Sequence, residues 1–537
     1  MSPVDYKNPA IHNIPHNALR VEDIVDQILL KLMENDQPKK SDLLSMARCC
    51  RAFEDPSLNR LWASMNSVVP LLKLIDGVEV SQGTLIIGGK LEYVELSSRF
   101  HSYAKRIRSL DYDMTTNFAN VDVSTWIRLA QLEGALLPNL KSLKISCTIV
   151  HGATSAVERD KALLLLPVVA RPSPINSFTF QMLSVTSHNT RYEVGPFLSI
   201  LSDYKLSIET LVLSGTFTPQ YTKTIAMMKS LRSVSLQLAL DSTLPAVLAA
   251  LASLPRLHTV ELDFTGLTPS PAEIGTHSFQ SLLKVALSGS ISFISRTLSS
   301  IICPGMECVH ARLIIMNAHG ATDVPPAQES VLPYLQLSRF PTLKYIVLDL
   351  SGCASPSSDG QRENRLNLVA SILGNRGVEE FTVTSLGPHM CLSDHEINEI
   401  ATAWPSLRVL KFEHTWAPFE QPSFTSLDHL AKRCPQLTEV SMTLREGDIQ
   451  DLNHSDTPSP GKGVWKLSLQ HTMVKRYAVV GRYIDELFPF LNKFTMNETQ
   501  GCGYLQDVIF QACQVVRKSE QRRKKGEDTK DSQLYRR

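Results

Sequence analysis

A short apolar phrase recurs along this chain: an apolar residue, two spacers, a second apolar residue, one spacer, a third. It reads Ile107/Leu110/Tyr112, Leu140/Leu143/Ile145, Ile175/Phe178/Phe180, Ile208/Leu211/Leu213, Leu231/Val234/Leu236, Leu257/Val260/Leu262 and Leu282/Val285/Leu287. It continues as Met306/Val309/Ala311, Leu343/Ile346/Leu348, Val378/Phe381/Val383, Leu407/Leu410/Phe412, Leu437/Val440/Met442, Val464/Leu467/Leu469 and Leu491/Phe494/Met496. These fourteen copies start 23 to 37 residues apart. The second and third apolar positions are two residues apart and so share one face of a strand. The residue between them points to the opposite face. There the chain is mostly polar, with Asp111, Lys144, Ser235, Glu261, Thr382, Lys411, Ser441, Ser468 and Thr495.

Two further signals run in phase. Pro138, Pro255, Pro304, Pro341, Pro405, Pro435 and Pro489 each stand two residues before a first apolar position. Proline ends a helix and biases its predecessor out of the helical region, so it punctuates the passage from helix to strand. Eight residues after the first apolar position, nine copies carry a hydroxyl: Thr115, Thr148, Thr216, Thr265, Ser290, Ser351, Thr415, Thr472 and Thr499. A buried hydroxyl there is expected to bond the backbone of the turn that follows each strand. Between phrases the spacing turns helical. Leu244, Val247, Leu248, Leu251 and Leu254 mark one buried face, with Ser242 as a plausible cap. Ile397, Ile400, Ala401 and Trp404 form a second such set, and Leu427, Leu430 and Ala431 a third. The phrase is the leading half of the leucine-rich-repeat pattern. The expected fold is α/β, a leucine-rich-repeat solenoid: a horseshoe of parallel inner strands and outer helices over 101–512. Inserted loops are expected at 317–330, 351–362 and 446–463, which are rich in Gly, Pro, Ser and Asp.

Residues 14–66 lack the phrase and predict three short helices. Val21, Ile24, Val25, Ile28, Leu29 and Leu32 form one apolar face, and 35–38 break it. Ser41 or Asp42 caps a second helix carrying Leu43, Leu44, Met46, Ala47 and Cys50. Asp55-Pro56 is expected to break the chain again before a third face of Leu58, Leu61, Trp62 and Met65. This segment resembles an F-box. The resemblance is carried by Ile14-Pro15, Leu19-Arg20-Val21-Glu22-Asp23-Ile24, Asp42 through Phe53, and Pro56-Ser57-Leu58-Asn59-Arg60-Leu61-Trp62. Arg20 stands where that family has proline. The whole chain is similar to the F-box proteins with degenerate leucine-rich repeats of mushroom-forming fungi. The resemblance implies that the helices dock on a Skp-type adaptor and through it join a cullin–RING ubiquitin ligase. The repeats would then capture an unknown target protein. It points to Ile14, Pro15, Leu19, Val21, Ile24, Ile28, Leu43, Met46, Phe53, Leu58, Leu61 and Trp62 for the adaptor. Asp111, Lys144, Ser235, Glu261, Lys411, Ser441 and Ser468 are the candidates for the target. The expected organisation is a disordered 1–13, the F-box-like module at 14–66, a linker and cap at 67–100, the solenoid at 101–512 and a basic disordered tail at 513–537.

Composition changes this picture little. The chain has 537 residues, 43% hydrophobic and 20% charged, with a formal net charge of +1. That is a folded chain with no global field toward nucleic acid or membrane. No apolar run reaches the roughly 20 residues of a membrane span, and the N-terminus lacks a signal-peptide core, so a cytoplasmic or nuclear protein is expected. The ten cysteines are scattered and read as small core residues. Gly88-Gly89-Lys90 lacks the spacing of a nucleotide loop. Cys303, Cys308 and His310 match no common zinc spacing. His395-Glu396-Ile397-Asn398-Glu399 reads as a solvated helix start. The basic run at 522–525 fits either a nuclear-import signal or a solvated tail. No enzyme activity, cofactor or metal is expected. The alternative to a ligase subunit is a leucine-rich-repeat scaffold whose N-terminal helices only cap the array.

Overall fold

The computed structural model describes residues 22–33, 40–81, 83–87, 97–114, 121–132, 134–149, 173–184, 195–204, 206–214, 219–238, 243–264, 274–314, 335–352, 372–385, 392–414, 421–445, 463–470 and 477–497. The chain divides into two units, Met1–Leu231 and Arg232–Arg537. Both are built as leucine-rich-repeat arrays.

The first unit opens with three helices, α1 (Glu22–Met33), α2 (Lys40–Cys49) and α3 (Arg51–Ala63). Its strands are β1 (Ser64–Met65), β2 (Val78–Ser81), β3 (Thr84–Ile87), β4 (Ser109–Asp113), β5 (Ser142–Ile149), β6 (Ser177–Ser184) and β7 (Thr210–Ser214). Strands β1, β4, β5, β6 and β7 lie side by side in that order, all parallel. Strands β2 and β3 form a separate antiparallel hairpin.

The second unit holds β8 (Ser233–Gln237), β9 (Thr259–Asp263), β10 (His277–Ser278), β11 (Lys284–Gly289), β12 (Ile301–Ile302), β13 (Cys308–Ile314) and β14 (Tyr345–Gly352). It continues with β15 (Glu380–Ser385), β16 (Val409–His414), β17 (Glu439–Met442), β18 (Lys466–Gln470) and β19 (Lys493–Asn497). All but β10 and β12, which pair with each other, join one parallel ladder in chain order. Parallel neighbours need a long crossover, which the repeat spacing supplies.

Register follows the apolar phrase. Leu110, Leu143, Phe178 and Leu211 align across the first ladder. In the second, Val234, Val260, Val285, Val309, Ile346, Phe381, Leu410, Val440, Leu467 and Phe494 align. Every first and second phrase position is buried, as is every third from Tyr112 to Leu469. Each such side chain stabilises by roughly 1.5–3 kcal/mol on burial, and a one-residue slip would expose the set. Aromatic pairs join strand to helix. Tyr112 meets Trp126 at 6.0 Å, Phe180 meets Phe197 at 4.2 Å, Phe264 meets Phe293 at 5.5 Å and Phe381 meets Trp404 at 5.0 Å. The helices therefore cover the apolar face, and the described helices leave the polar face open. All seven in-phase prolines lie in the turns that lead into strands.

Several local expectations need correction. Helix α3 runs straight through Pro56. The ring removes the donor that would face the Ala52 carbonyl, and the packing of Phe53 and Leu61 holds the helix together across the gap. Helix α2 opens at Lys40, so neither Ser41 nor Asp42 precedes it; the Ser41 hydroxyl donates to Asp42 instead, at 3.1 Å. Met65 is on β1, not on a helical face. The predicted apolar face of α1 splits: Val25 and Leu29 are buried, while Ile24 and Ile28 are exposed. Helix Leu244–Ala252 buries the predicted residues but begins after Thr243, with a proline in its first turn; Ser242 lies outside the described residues. Glu396 is not solvated: its carboxylate accepts from the Ser393 N–H at 2.6 Å in a capping box, and it is buried. Cys303 and Cys434 are core residues, as expected, but Cys49 is exposed. Most of the hydroxyl positions and inserted loops, with 1–13 and the 513–537 tail, lie outside the described residues. Ser290, which is described, precedes helix Ile291–Ser300, and its hydroxyl meets that of Ser292 at 3.1 Å rather than the backbone.

Candidate interaction surfaces

Two surfaces follow from this arrangement. The first is the three-helix module. Val25, Leu29, Leu43 and Phe53 form its core, with Met46, Cys50 and Leu61 packed around them. Arg60 ties α3 to α1 through Asp26 at 3.0 Å. Among the described residues, four large apolar side chains of the module are exposed outside this core: Ile24 and Ile28 one turn apart on α1, with Leu30, and Leu44 on α2, between 36% and 43% exposed. Ile24 and Ile28 are sequence candidates; Leu30 and Leu44 are not among them. The apolar pattern alone gives no means to tell which of two adjacent residues turns inward. Leu43, Met46 and Phe53 serve the core, and Leu58 and Leu61 are half-buried. Ile14, Pro15, Leu19 and Val21 lie outside the described residues.

Trp62 is half-buried, its ring tilted 41° against that of Tyr103 at 4.6 Å between centroids. It stands three residues before Met65, which aligns with Leu110. Trp62 and Met65 thus occupy the first and second positions of a fifteenth phrase, which the sequence pattern hides because Ser67 takes the third. The Arg106 guanidinium binds Asp55 at 2.6 Å, reaches the Asn59 side chain and lies over the Tyr103 ring. The module is thereby fastened to the first repeat.

The second surface is the open face of the strands. Register places Asp111 beside Lys144, where they pair at 2.9 Å. In the second unit Ser235, Glu261, Lys411, Ser441 and Ser468 share one row, with His310 between Ala286 and Val347. Within each unit the sequence candidates thus share one row, although Ser441 is buried beneath its neighbours. Sequence reasoning passed over a second row two residues earlier, which alternation also turns outward: Lys284, Cys308, Tyr345, Glu380, Glu439, Lys466 and Lys493.

The two rows meet at Glu439. Its Oε1 accepts from Lys411 at 3.0 Å and also from Lys466. Burial works to raise the Glu439 carboxyl, but the hydrogen bonds from Lys466 and Lys411 outweigh it and hold the carboxyl below its ordinary value. Burial, with Lys284 nearby, holds the His310 imidazole below its ordinary value, so it is neutral at pH 7. Cys308 is pushed up by burial and is not a reactive thiolate. Cys303 donates to the Leu282 carbonyl at 2.9 Å in a turn. Among the described residues no group of three or more His, Cys, Asp or Glu side chains is placed to hold a metal ion, and no helix is long and apolar enough to cross a membrane.

No protein-family model matches the chain, and no curated protein does. Among solved structures it is similar to a leucine-rich-repeat protein of Leptospira interrogans, at 12% identity and a TM-score of 0.33, over 81% of this chain and 88% of that one. It is also similar to a chain of the Rad7 and Elc1 complex of yeast, at 12% identity and a TM-score of 0.31, over 91% of this chain and 96% of that one. Such scores are too low to argue from, so the architecture rests on the strand register and the burial of the phrase.

Proposed function

We propose that this chain is a non-catalytic receptor subunit of an SCF-type ubiquitin ligase. Its F-box-like module docks on a Skp-type adaptor, which brings a cullin–RING partner, and its repeat array captures the protein to be modified. One observation carries the reading. The module completes a core with Val25, Leu29, Leu43 and Phe53 and still presents Ile24, Ile28, Leu30 and Leu44 to solvent. Apolar side chains clustered on so small a helical unit are the material of a protein–protein interface. The test is capture of a purified Skp-type adaptor by the full chain and by the double variant Ile24→Asp, Ile28→Asp. Capture by the first and loss in the second supports the reading; no capture by the unaltered chain sinks it.

A second reading, a repeat scaffold capped by its N-terminal helices, is favoured by the continuation of α3 into the ladder as β1. The two differ in what the exposed residues do. A cap alone has no use for Ile24 and Ile28, and a cap whose surface variants leave every partner bound would favour the scaffold.

A further inference from the structure

The last two strands of the second unit carry a matched set of outward residues. Register places Lys466 beside Lys493 and Ser468 beside Thr495. None of these four is a carboxylate. Elsewhere in the same ladder the signs are interspersed, as where Arg312 pairs with Asp349 at 3.2 Å on neighbouring strands. Like charges directly opposite one another on adjacent strands, about 4.8 Å apart, oppose the pairing of those strands. The one carboxylate on the neighbouring strand β17, Glu439, already serves Lys411 and Lys466 through a single oxygen. Lys493 is exposed and has no ion-pair partner among the described residues. Lys411 and Lys466 therefore share one carboxylate while Lys493 beside them has none, and two half-buried hydroxyls, Ser468 and Thr495, stand in the next row.

We propose that the outward face of β18 and β19 receives an acidic, extended segment of a partner protein, with its carboxylates against Lys466 and Lys493 and its remaining acceptors on Ser468 and Thr495. The charge complementarity is local: the chain as a whole carries only +1, so the surplus does not draw anions to the molecule at large. An extended segment suits a flat strand face, whose side chains stand in regular rows. The inference rests on the array as a capture surface and not on the helical module.

The test is fluorescence anisotropy on the full chain without adaptor, using a labelled twelve-residue peptide of alternating Glu and Ser and its Lys/Ser counterpart. The Glu/Ser peptide is expected to bind and the Lys/Ser peptide to bind at least about ten-fold more weakly. Lys493→Glu is expected to weaken the Glu/Ser peptide by about ten-fold, and Lys493→Arg to keep it within about three-fold. Lys223→Glu, exposed on the first unit, is the control and is expected to change nothing. Because Lys493 is exposed, its variants leave the core intact, and unchanged circular dichroism confirms it. Equal binding of the two peptides overturns the proposal, as does a Lys493→Glu variant that binds like the unaltered chain. Binding confined to a phosphoserine peptide, with none to the Glu/Ser peptide, also overturns it. Each of these failures would leave adaptor docking by the module untouched.

Discussion

The backbone N–H of Arg108 donates to the carbonyl of Ala63 at 2.9 Å. The same bond recurs one repeat later, from Lys141 to the Arg108 carbonyl at 2.8 Å, and again from Asn176 to the Lys141 carbonyl at 2.9 Å. Ala63 therefore occupies, at the end of α3, the place that the residue after the first apolar position takes in every later repeat. The helical module is the first rung of the ladder as well as a separate set of helices. The three helices and the first strands are therefore joined without a free linker.

Deleting residues 22–66 is expected to strip β4 of its neighbour. Arg108 loses its acceptor, Leu110 loses Met65, and Arg106 loses Asp55 and Asn59. The exposed parallel edge then becomes a template for association. Hydrogen exchange checks this: protection of Ser109–Asp113 should fall to that of an unpaired strand, while β15 to β19 keep theirs, and the truncated chain should aggregate. A truncated chain that keeps β4 protected and stays monomeric contradicts the role given to Ala63.

Adjacent residues on α1 are expected to part company. Leu29, fully buried in the module core, should cost about 3 kcal/mol when replaced by alanine. Ile28→Asp, at an exposed site, should change stability by no more than about 0.5 kcal/mol. Denaturant unfolding followed by the helical signal separates the two. Equal losses would place Ile28 in the core and remove the apolar surplus on which the proposed adaptor docking rests.

The array was legible because it is repetitive. Fourteen copies of one phrase average out local ambiguity, and each second position falls in register with its neighbours. The module was less legible for the opposite reason. Ile24, Val25, Ile28 and Leu29 are alike in type, and only tertiary packing decides that Val25 and Leu29 turn inward. The β1 strand was hidden by Ser67 at its third place, and the hairpin β2–β3 lies in a stretch with no repeat to flag it. The lysine row of Lys466 and Lys493 was accessible to simple alternation, yet a search confined to the place between the two apolar strand positions steps over it.

Gly463 closes the expected 446–463 loop, and its position is tight. A Cβ there would lie 2.6 Å from the Leu437 carbonyl oxygen and 3.4 Å from that of Pro435. Both are backbone atoms of the preceding turn and cannot swing aside as a side chain would. Gly463→Ala should therefore cost about 1–3 kcal/mol, although alanine is favoured wherever space allows. The measurement is the denaturation midpoint together with exchange protection of Lys466–Gln470, which should drop first. A neutral or stabilising result would mean that the β17 turn gives way easily.

Glu439 makes the stability of the last strands depend on pH in a direction the geometry fixes. Its folded carboxyl is held below the ordinary value of 4.5 because the hydrogen bonds from Lys466 and Lys411 overcome the opposing effect of burial. A carboxyl with a depressed folded value contributes stability that is fully present above its unfolded value and is lost as pH falls through the folded one. The contribution is therefore present at pH 7 and drains away below about pH 4.5. Glu439→Gln removes the charge at every pH and leaves Lys411 and Lys466 without their shared carboxylate. At pH 7 the variant should be less stable by about 1 kcal/mol, the scale of a partly solvated ion-pair network. Below about pH 4.5 the difference between the two chains should shrink as the pH falls further. A difference that stays constant between these pH values would assign the loss to packing or to the altered hydrogen bonds, and not to the charge that Glu439 holds between its two lysines.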